Sequence, residues 1–318
     1  MRLLRIIKKH LIISIFASIT LGIIVGNYFD VSSLKNLILP LTFMLVYPMK
    51  VTLDFSMLLE KPNYKLQLSA QILNFVLFPL LAFVIGFIFF KDETYIRLGL
   101  LLIGLLPTSG MTISWTVMAK GNIHEAIRMV IIGLLIGAIV TPFYIEFYLG
   151  SEVDIPIGQI FMQIMVVIFI PLILAYITQK VLIKKYSYEV FHKKIKPVFP
   201  LFSTLGVVLI LFVAISLKAK ILVSNPEIVL EILLPLMLFY LTMFIVSTLV
   251  ARVFFNREDG IALVNGTLIR NLSLSLAIIL SAFPDAGIAA LLIAVAYVLQ
   301  VQIAAWNVKI SKYIFKSN

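Results

Sequence analysis

Two polar stretches interrupt otherwise apolar sequence, and their residue types suit the handling of a solute. The first, Gly104-Leu105-Leu106-Pro107-Thr108-Ser109-Gly110-Met111-Thr112-Ile113-Ser114-Trp115-Thr116, places a proline, glycines and the hydroxyls of Thr108, Ser109, Thr112, Ser114 and Thr116 in an apolar run. The second, Asn265-Gly266-Thr267-Leu268-Ile269-Arg270-Asn271-Leu272-Ser273-Leu274-Ser275, adds a glycine, several polar groups and an arginine. In lipid a released backbone group costs several kcal/mol unless protein or a water-filled cavity receives it, so such stretches read as broken membrane helices walling a buried site. The chemistry they suit is binding: N–H groups at a half-helix start and hydroxyls for an anion's oxygens, with Arg270 for its charge.

Arg270 lies roughly ten residues into its span, where a charge costs at least about 2.5–3.5 kcal/mol and must find a partner. Facing a cavity, it would attract an anion or replace a cation; the plainer alternative is a structural arginine satisfied by helix-end carbonyls. On the cavity reading, Arg270→Gln weakens anion affinity while leaving folding intact or improved. Thr108, Thr112 and Thr116 can share a helix face at i and i+4, beside the Pro107 and Gly110 that loosen the backbone. Singly, each hydroxyl can equally bond to a helix carbonyl. Asn74, Gln300 and Gln302 are uncharged polar groups at membrane depth, where interhelical hydrogen bonds are their ordinary use; Asn74 and Gln300 join Thr108, Ser109, Thr112, Ser114, Thr116, Arg270, Asn271 and Ser273 as candidate substrate contacts.

Nothing points to catalysis. The chain lacks cysteine, an HExxH pair and a nucleotide-binding glycine loop, and its histidines, His10, His124 and His192, fall at the ends of apolar spans or in the segments that join them, on the side of the N-terminus. The 318 residues are 62% hydrophobic and 13% charged, with a mean hydropathy of +1.11. That is an all-α polytopic membrane protein. At about 20 residues per crossing, ten spans fall near 11–29, 34–53, 66–90, 96–119, 124–149, 156–179, 197–218, 227–254, 260–283 and 286–311. Connections are short apart from 180–196, so residues 1–318 are expected to form a single transmembrane domain.

The net charge of +11 does not gather into a nucleic-acid face. Lys35, Lys91, Arg97, Lys218 and Lys220 fall on one side of the membrane; apart from Arg270, the other lysines and arginines share the side of the N-terminus. The positive-inside rule then places both termini in the cytoplasm of a multi-pass cell-membrane protein. Ten spans divide into five-helix repeats, about 1–150 and 151–318, and an odd-membered repeat must insert upside down. Phe78-Pro79-Leu80-Leu81-Ala82-Phe83 and Leu234-Pro235-Leu236-Met237-Leu238-Phe239 fit that division, each preceding its broken helix by about 30 residues.

Further segments carry a family likeness. Tyr47-Pro48-Met49-Lys50-Val51-Thr52-Leu53-Asp54-Phe55, Asn74 before Pro79, Trp115 before Ala119-Lys120-Gly121-Asn122, Arg270-Asn271-Leu272-Ser273-Leu274-Ser275-Leu276-Ala277 and Val308-Lys309-Ile310 occur in order along the chain. Together they resemble the bile acid/sodium symporter superfamily, most closely its arsenite-efflux permease branch. The resemblance implies a panel of four helices, a core of six, crossing broken helices four and nine, alternating access, and small anions or oxyanions as substrates. It also exposes departures. Thr108 stands where arsenite permeases carry a cysteine, and Ser273 and Gln300 stand where they carry acidic residues. A hydroxyl does not imitate the soft thiolate that suits arsenite. The glutamate and glutamine of the family's sodium site fall at Gly266 and Arg270, and a fixed guanidinium would repel a cation that seeks oxygen ligands.

The resulting expectation is a secondary carrier of a small anion or oxyanion, without cofactor or metal, not driven through the family sodium site and with a proton left open as coupling ion. Membrane lipid is the expected surrounding partner, nucleic acid is not, and monomer or homodimer is left open. The competing readings are an arsenite permease despite the missing cysteine, and a non-transporting receptor or scaffold on the same fold.

Overall fold

The computed structural model describes residues 2–54, 61–150, 157–224, 226–283 and 286–315. Phe55 and Pro156, at the edges of expected elements, lie outside them. The described chain is helical: α1 Arg2–Lys9, α2 Leu11–Tyr28, α3 Ile38–Val51, α4 Tyr64–Ile72, α5 Phe78–Phe89, α6 Thr94–Leu105, α7 Gly110–Met118, α8 Ile123–Leu149, α9 Ile157–Tyr186, α10 Tyr188–Val190, α11 Phe199–Ser224, α12 Ile228–Phe254, α13 Arg257–Leu268, α14 Leu272–Ala282 and α15 Gly287–Ile314. Among the described residues, eight helical segments are long and apolar enough to cross a membrane. Both polar stretches are interrupted as expected, α6 from α7 and α13 from α14. The 180–196 segment differs from expectation. Instead of forming a connection, it continues α9 to Tyr186 and then coils through α10 and a π turn, Phe191–Ile195.

The chain forms two compact units, each drawing on both halves of the sequence. Unit 1 comprises Met1–Leu53, Ile155–Leu230 and Ser273–Ala294. Its tightest packing is between α2 and α11. The Gly22-x-x-x-Gly26 pair presents bare backbone to α11, so that a Cβ on Gly22 would lie 3.0 Å from the Phe212 carbonyl oxygen and one on Gly26 would lie 2.7 Å from Ser216 Cα. Small residues at this spacing let membrane helices approach closely enough for dispersion to hold them, where lipid supplies no hydrophobic drive. The Ser18 hydroxyl adds a bond to the Val208 carbonyl at 2.6 Å. At the C-terminal end of α3, Gln179 Nε2 donates to the carbonyls of Val51 (3.2 Å) and Leu53 (2.9 Å), serving acceptors where the helix gives out.

Unit 2 comprises Asp54–Asp154, Glu231–Leu272 and Val295–Asn318. Three of its helices begin at asparagine caps. Asn63, Asn122 and Asn256 accept the N–H of the residue three positions on. Their side-chain amides all reach the Asp259 carboxylate, at 2.9, 2.8 and 3.4 Å, so one buried aspartate ties α4, α8 and α13 together at their starts. Asn122 belongs to the Ala119-Lys120-Gly121-Asn122 segment, whose role is visible here. Lys120 adopts φ 60, the Gly121 N–H returns to the Thr116 carbonyl and that of Lys120 to Val117, which is a Schellman end to α7.

Candidate functional site

The two interruptions meet inside unit 2. Pro107 and Arg270 form an isolated antiparallel bridge: the Thr108 N–H donates to the Ile269 carbonyl and the Asn271 N–H to the Leu106 carbonyl, both at 2.8 Å. Each break therefore satisfies backbone groups of the other. Thr108 is held at φ 59, a left-handed conformation that costs a β-branched residue of order 1–3 kcal/mol. Its N–H bond and its hydroxyl's bond to the Pro107 carbonyl (2.7 Å) keep it there. Gly133 of α8 makes room for this kink, since a Cβ there would lie 3.0 Å from Thr108 Oγ and 3.2 Å from Pro107 Cγ.

Breaking a helix orphans carbonyls, and which ones can be read from the chain. Pro107 has no N–H for the carbonyl of Ile103. Thr108 has given its N–H to Ile269 and leaves Gly104 without one; Asn271 has given its own to Leu106 and leaves Thr267. Arg270 serves all three. Its Nε donates to the Ile103 carbonyl at 2.8 Å, its Nη2 to Gly104, and its Nη1 to Thr267 at 3.0 Å and to Asn74 Oδ1 at 2.6 Å. The guanidinium thus closes the C-terminal ends of two half-helices, where the partial negative charge of the helix dipole favours a cation. Arg270 is 0% exposed. The expectation that it faces a cavity does not hold in unit 2, because the carbonyls released by the crossing enclose it.

Asn74 reaches the crossing through a distortion of its own helix. Residues Leu73–Leu77 form a π turn between α4 and α5, which shifts the helix register by one residue and is frequent at functional positions. From there Asn74 Nδ2 donates to the Gly266 carbonyl at 3.1 Å while its Oδ1 receives Arg270. Pro79, four residues after Phe75, cannot serve the Phe75 carbonyl; the Tyr144 hydroxyl of α8 donates to it instead. Tyr144→Phe is expected to destabilise the protein by about 1–2 kcal/mol, since it leaves that buried acceptor unmade. A melting temperature equal to wild type would show that the carbonyl finds another donor.

Gln300 holds the second break from the other side. Its Oε1 receives the Arg270 N–H at 2.7 Å and the Tyr240 hydroxyl at 3.1 Å, and its Nε2 donates to the Arg270 carbonyl at 3.2 Å, so the side-chain amide imitates a strand partner. Asn74, Thr108, Arg270, Asn271 and Gln300 are therefore brought together. The hydroxyl stripe is divided. Ser109 caps α7 in a reciprocal box with Thr112, and the Thr116 hydroxyl bonds back to the Thr112 carbonyl at 2.8 Å, so Thr112 and Thr116 are buried in helix-internal roles. Ser114 is exposed and lies 3.4 Å from the Gly110 carbonyl. Ser273 begins the segment that belongs to unit 1. Thr267, Tyr240 and Tyr144 escape a sequence reading, although Pro79 and Pro107 foretell which carbonyls need donors.

The comparisons with known proteins agree on a family. The sequence model of the sodium bile acid symporter family matches residues 39–225. The chain is 23% identical over 255 residues to the arsenical-resistance protein Acr3 of Alkaliphilus metalliredigens, an alignment covering 72% of this chain and 70% of that protein. It is 26% identical over 193 residues to the arsenical-resistance protein Acr3 of Corynebacterium glutamicum, covering 57% of this chain and about half (52%) of that protein. An uncharacterized protein, YbaS of Bacillus subtilis, matches at 23% identity over 96 residues, or 30% of this chain. Multiple apolar helices, a helix crossing closed by its own arginine, and a family match over more than half of the sequence lead to one assignment: the chain is a multi-pass membrane protein that belongs to the sodium bile acid symporter family of transporters.

Proposed function

We propose that this protein is a secondary carrier of a small anionic or oxyanionic solute, in which Arg270 is a tethered cation that makes an exchangeable sodium ion unnecessary at the helix crossing. One observation carries the reading: the guanidinium takes carbonyls from Ile103, Gly104 and Thr267, the kind of oxygen cage a hard cation would need. Among the described residues its bonds go to carbonyl and amide oxygens, not to a carboxylate, so its charge is solvated without being cancelled. A positive potential of that kind in a low-dielectric region favours anions nearby. The ten-crossing architecture with inverted repeats belongs to the same proposal. Eight long helices and the two interrupted pairs support a count of ten crossings, the like placement of Pro79 and Pro235 supports a repeat, and the lysine and arginine distribution favours both termini in the cytoplasm.

The relatives' names make arsenite an obvious probe, but this chain has no cysteine, and the Thr108 hydroxyl is engaged with the Pro107 carbonyl. Hard oxyanions and carboxylates fit better. The test is uptake into vesicles of purified protein, screened over phosphate, sulfate, carboxylates, sulfonates and arsenite, with sodium replaced by choline at constant pH and with a pH gradient imposed separately. Anion uptake should change less than about twofold on sodium removal, a difference of under about 0.4 kcal/mol. Uptake that vanishes without sodium would overturn the tethered-cation reading. The mutual satisfaction of polar groups at the crossing favours a second reading, a non-transporting scaffold, which is the result if no solute moves under any gradient.

A further inference from the structure

Past the Gly26 contact, a cavity of about 430 Å³ is lined by the end of α2, the turn that follows it and the last turns of α11. The volume falls within the range of small-ligand sites. All of its lining belongs to unit 1, and none of it is a residue of the crossing described above. Three lysines line it, Lys35 from the turn and Lys218 and Lys220 from α11, against one carboxylate, Asp30. Asp30 is already engaged by the turn: its Oδ1 receives the Ser32 N–H at 3.0 Å. That bond, the Ser32 hydroxyl and then the nearby Lys220 charge hold its carboxyl below the usual carboxylate range. Positive charge is thus in excess.

The lysines are not equivalent. Lys35 and Lys220 are exposed, whereas Lys218 is half-buried with its stem laid on Gly287, where a Cβ would come within 2.5 Å of Lys218 Cγ. A stem fixed in this way has surrendered rotamer freedom before any ligand arrives, which lowers the entropy cost of binding. Tyr28 and Phe29, 77% and 66% exposed, stand in the same lining at the end of an apolar helix. A tyrosine in that position marks the depth of lipid headgroups, where its ring is apolar and its hydroxyl meets water.

We propose that this cavity binds a phosphate group, with Lys35, Lys218 and Lys220 as its cationic contacts. Lysine binds phosphate as a point charge and does not need the planar geometry that arginine requires. A phospholipid headgroup and free inorganic phosphate share this chemistry, and Tyr28 puts the cavity at a depth where either could enter. The inference is independent of which solute the carrier moves.

The test uses the full-length protein in three settings: delipidated in detergent, in phosphatidylcholine nanodiscs, and in nanodiscs containing phosphatidylglycerol. Inorganic phosphate is titrated calorimetrically in each, and thermal unfolding is followed in parallel. The Lys35→Gln/Lys220→Gln variant changes only exposed positions and should fold normally. In detergent, wild type should bind phosphate saturably, the double variant at least about tenfold more weakly, and Asp30→Asn several-fold more tightly, with all affinities falling as salt screens the lysines. If the natural occupant is lipid, phosphatidylglycerol should raise the wild-type melting temperature above that in phosphatidylcholine, abolish the phosphate titration, and do neither in the double variant. If it is free phosphate, the titration should be the same in both nanodiscs as in detergent, whereas a titration present in detergent and lost in both nanodiscs would assign the cavity to phospholipid of either kind. Phosphate and phosphatidylglycerol effects that are equal in wild type and double variant, or a weaker affinity in Asp30→Asn, would overturn the proposal.

Discussion

Arg270→Gln is expected to lower folding stability by about 3–5 kcal/mol, the usual loss when one member of a buried charged network is removed. The expectation from sequence, that removing a midplane charge leaves folding intact or improves it, is reversed by the geometry. The carbonyls of Ile103, Gly104 and Thr267 and the Asn74 amide oxygen would lose their donor together, and each buried acceptor left unmade costs about 1–3 kcal/mol before relaxation. A glutamine amide is too short and has too few donors to reach acceptors on three helices. Lysine restores the charge but not the fork, so Arg270→Lys should fall between the two. Arg270→Ala supplies the decisive measurement. If the cage is a cation site filled by a tethered guanidinium, millimolar guanidinium or sodium should raise the melting temperature of this variant in detergent and leave wild type unchanged. A variant as stable as wild type would mean that the crossing holds without the arginine.

How much of this was legible in the sequence differs between backbone and side chains. The interruptions at Pro107 and around Arg270 could be read directly, because proline and intramembrane charge have few uses in a span. The alternative of an arginine held by helix-end carbonyls is also visible, and the prolines foretell some of the carbonyls that need donors, but which donor each one finds has no signature in a sequence. Only the crossing reveals that Thr108 and Asn271 give their N–H groups to each other's break and strand the acceptors that Arg270 collects. The threonine stripe misled for a related reason. Period alone puts Thr112 and Thr116 on one face, yet a capping box and a back-bond to the helix occupy both hydroxyls. The π turn that delivers Asn74 has no local signal beyond the proline that follows it. The expectation of a connecting segment at 180–196 fails because lysines at a helix end can carry their ammonium groups to the interface while the helix continues, here to Tyr186.

Gly26→Leu is expected to destabilise the protein by at least about 3 kcal/mol, at or above the upper end of the range for overpacking. The reason lies in what the side chain would meet. A Cβ on Gly26 would overlap the Ser216 carbonyl oxygen and lie 2.7 Å from Ser216 Cα, and backbone in the middle of α11 cannot rotate away as a side-chain tip can. Relief requires α2 and α11 to separate, which also strips the contacts at Gly22 and the 2.6 Å bond from Ser18 to the Val208 carbonyl. In lipid these losses are not offset by hydrophobic burial elsewhere, since the acyl chains are as apolar as the residues they replace. Gly158, on α9, supplies the control. Among the described residues nothing lies within 4 Å of a Cβ there, so Gly158→Ala, in the first turn of α9, should be neutral or should stabilise by less than the roughly 1 kcal/mol of a helix-interior site. Thermal unfolding of both variants in the same detergent separates the crossing from a general intolerance of glycine replacement. Equal melting temperatures for Gly26→Leu and wild type would mean that α2 and α11 do not rely on backbone contact, and the cavity that opens beyond Gly26 would lose the constraint that shapes it.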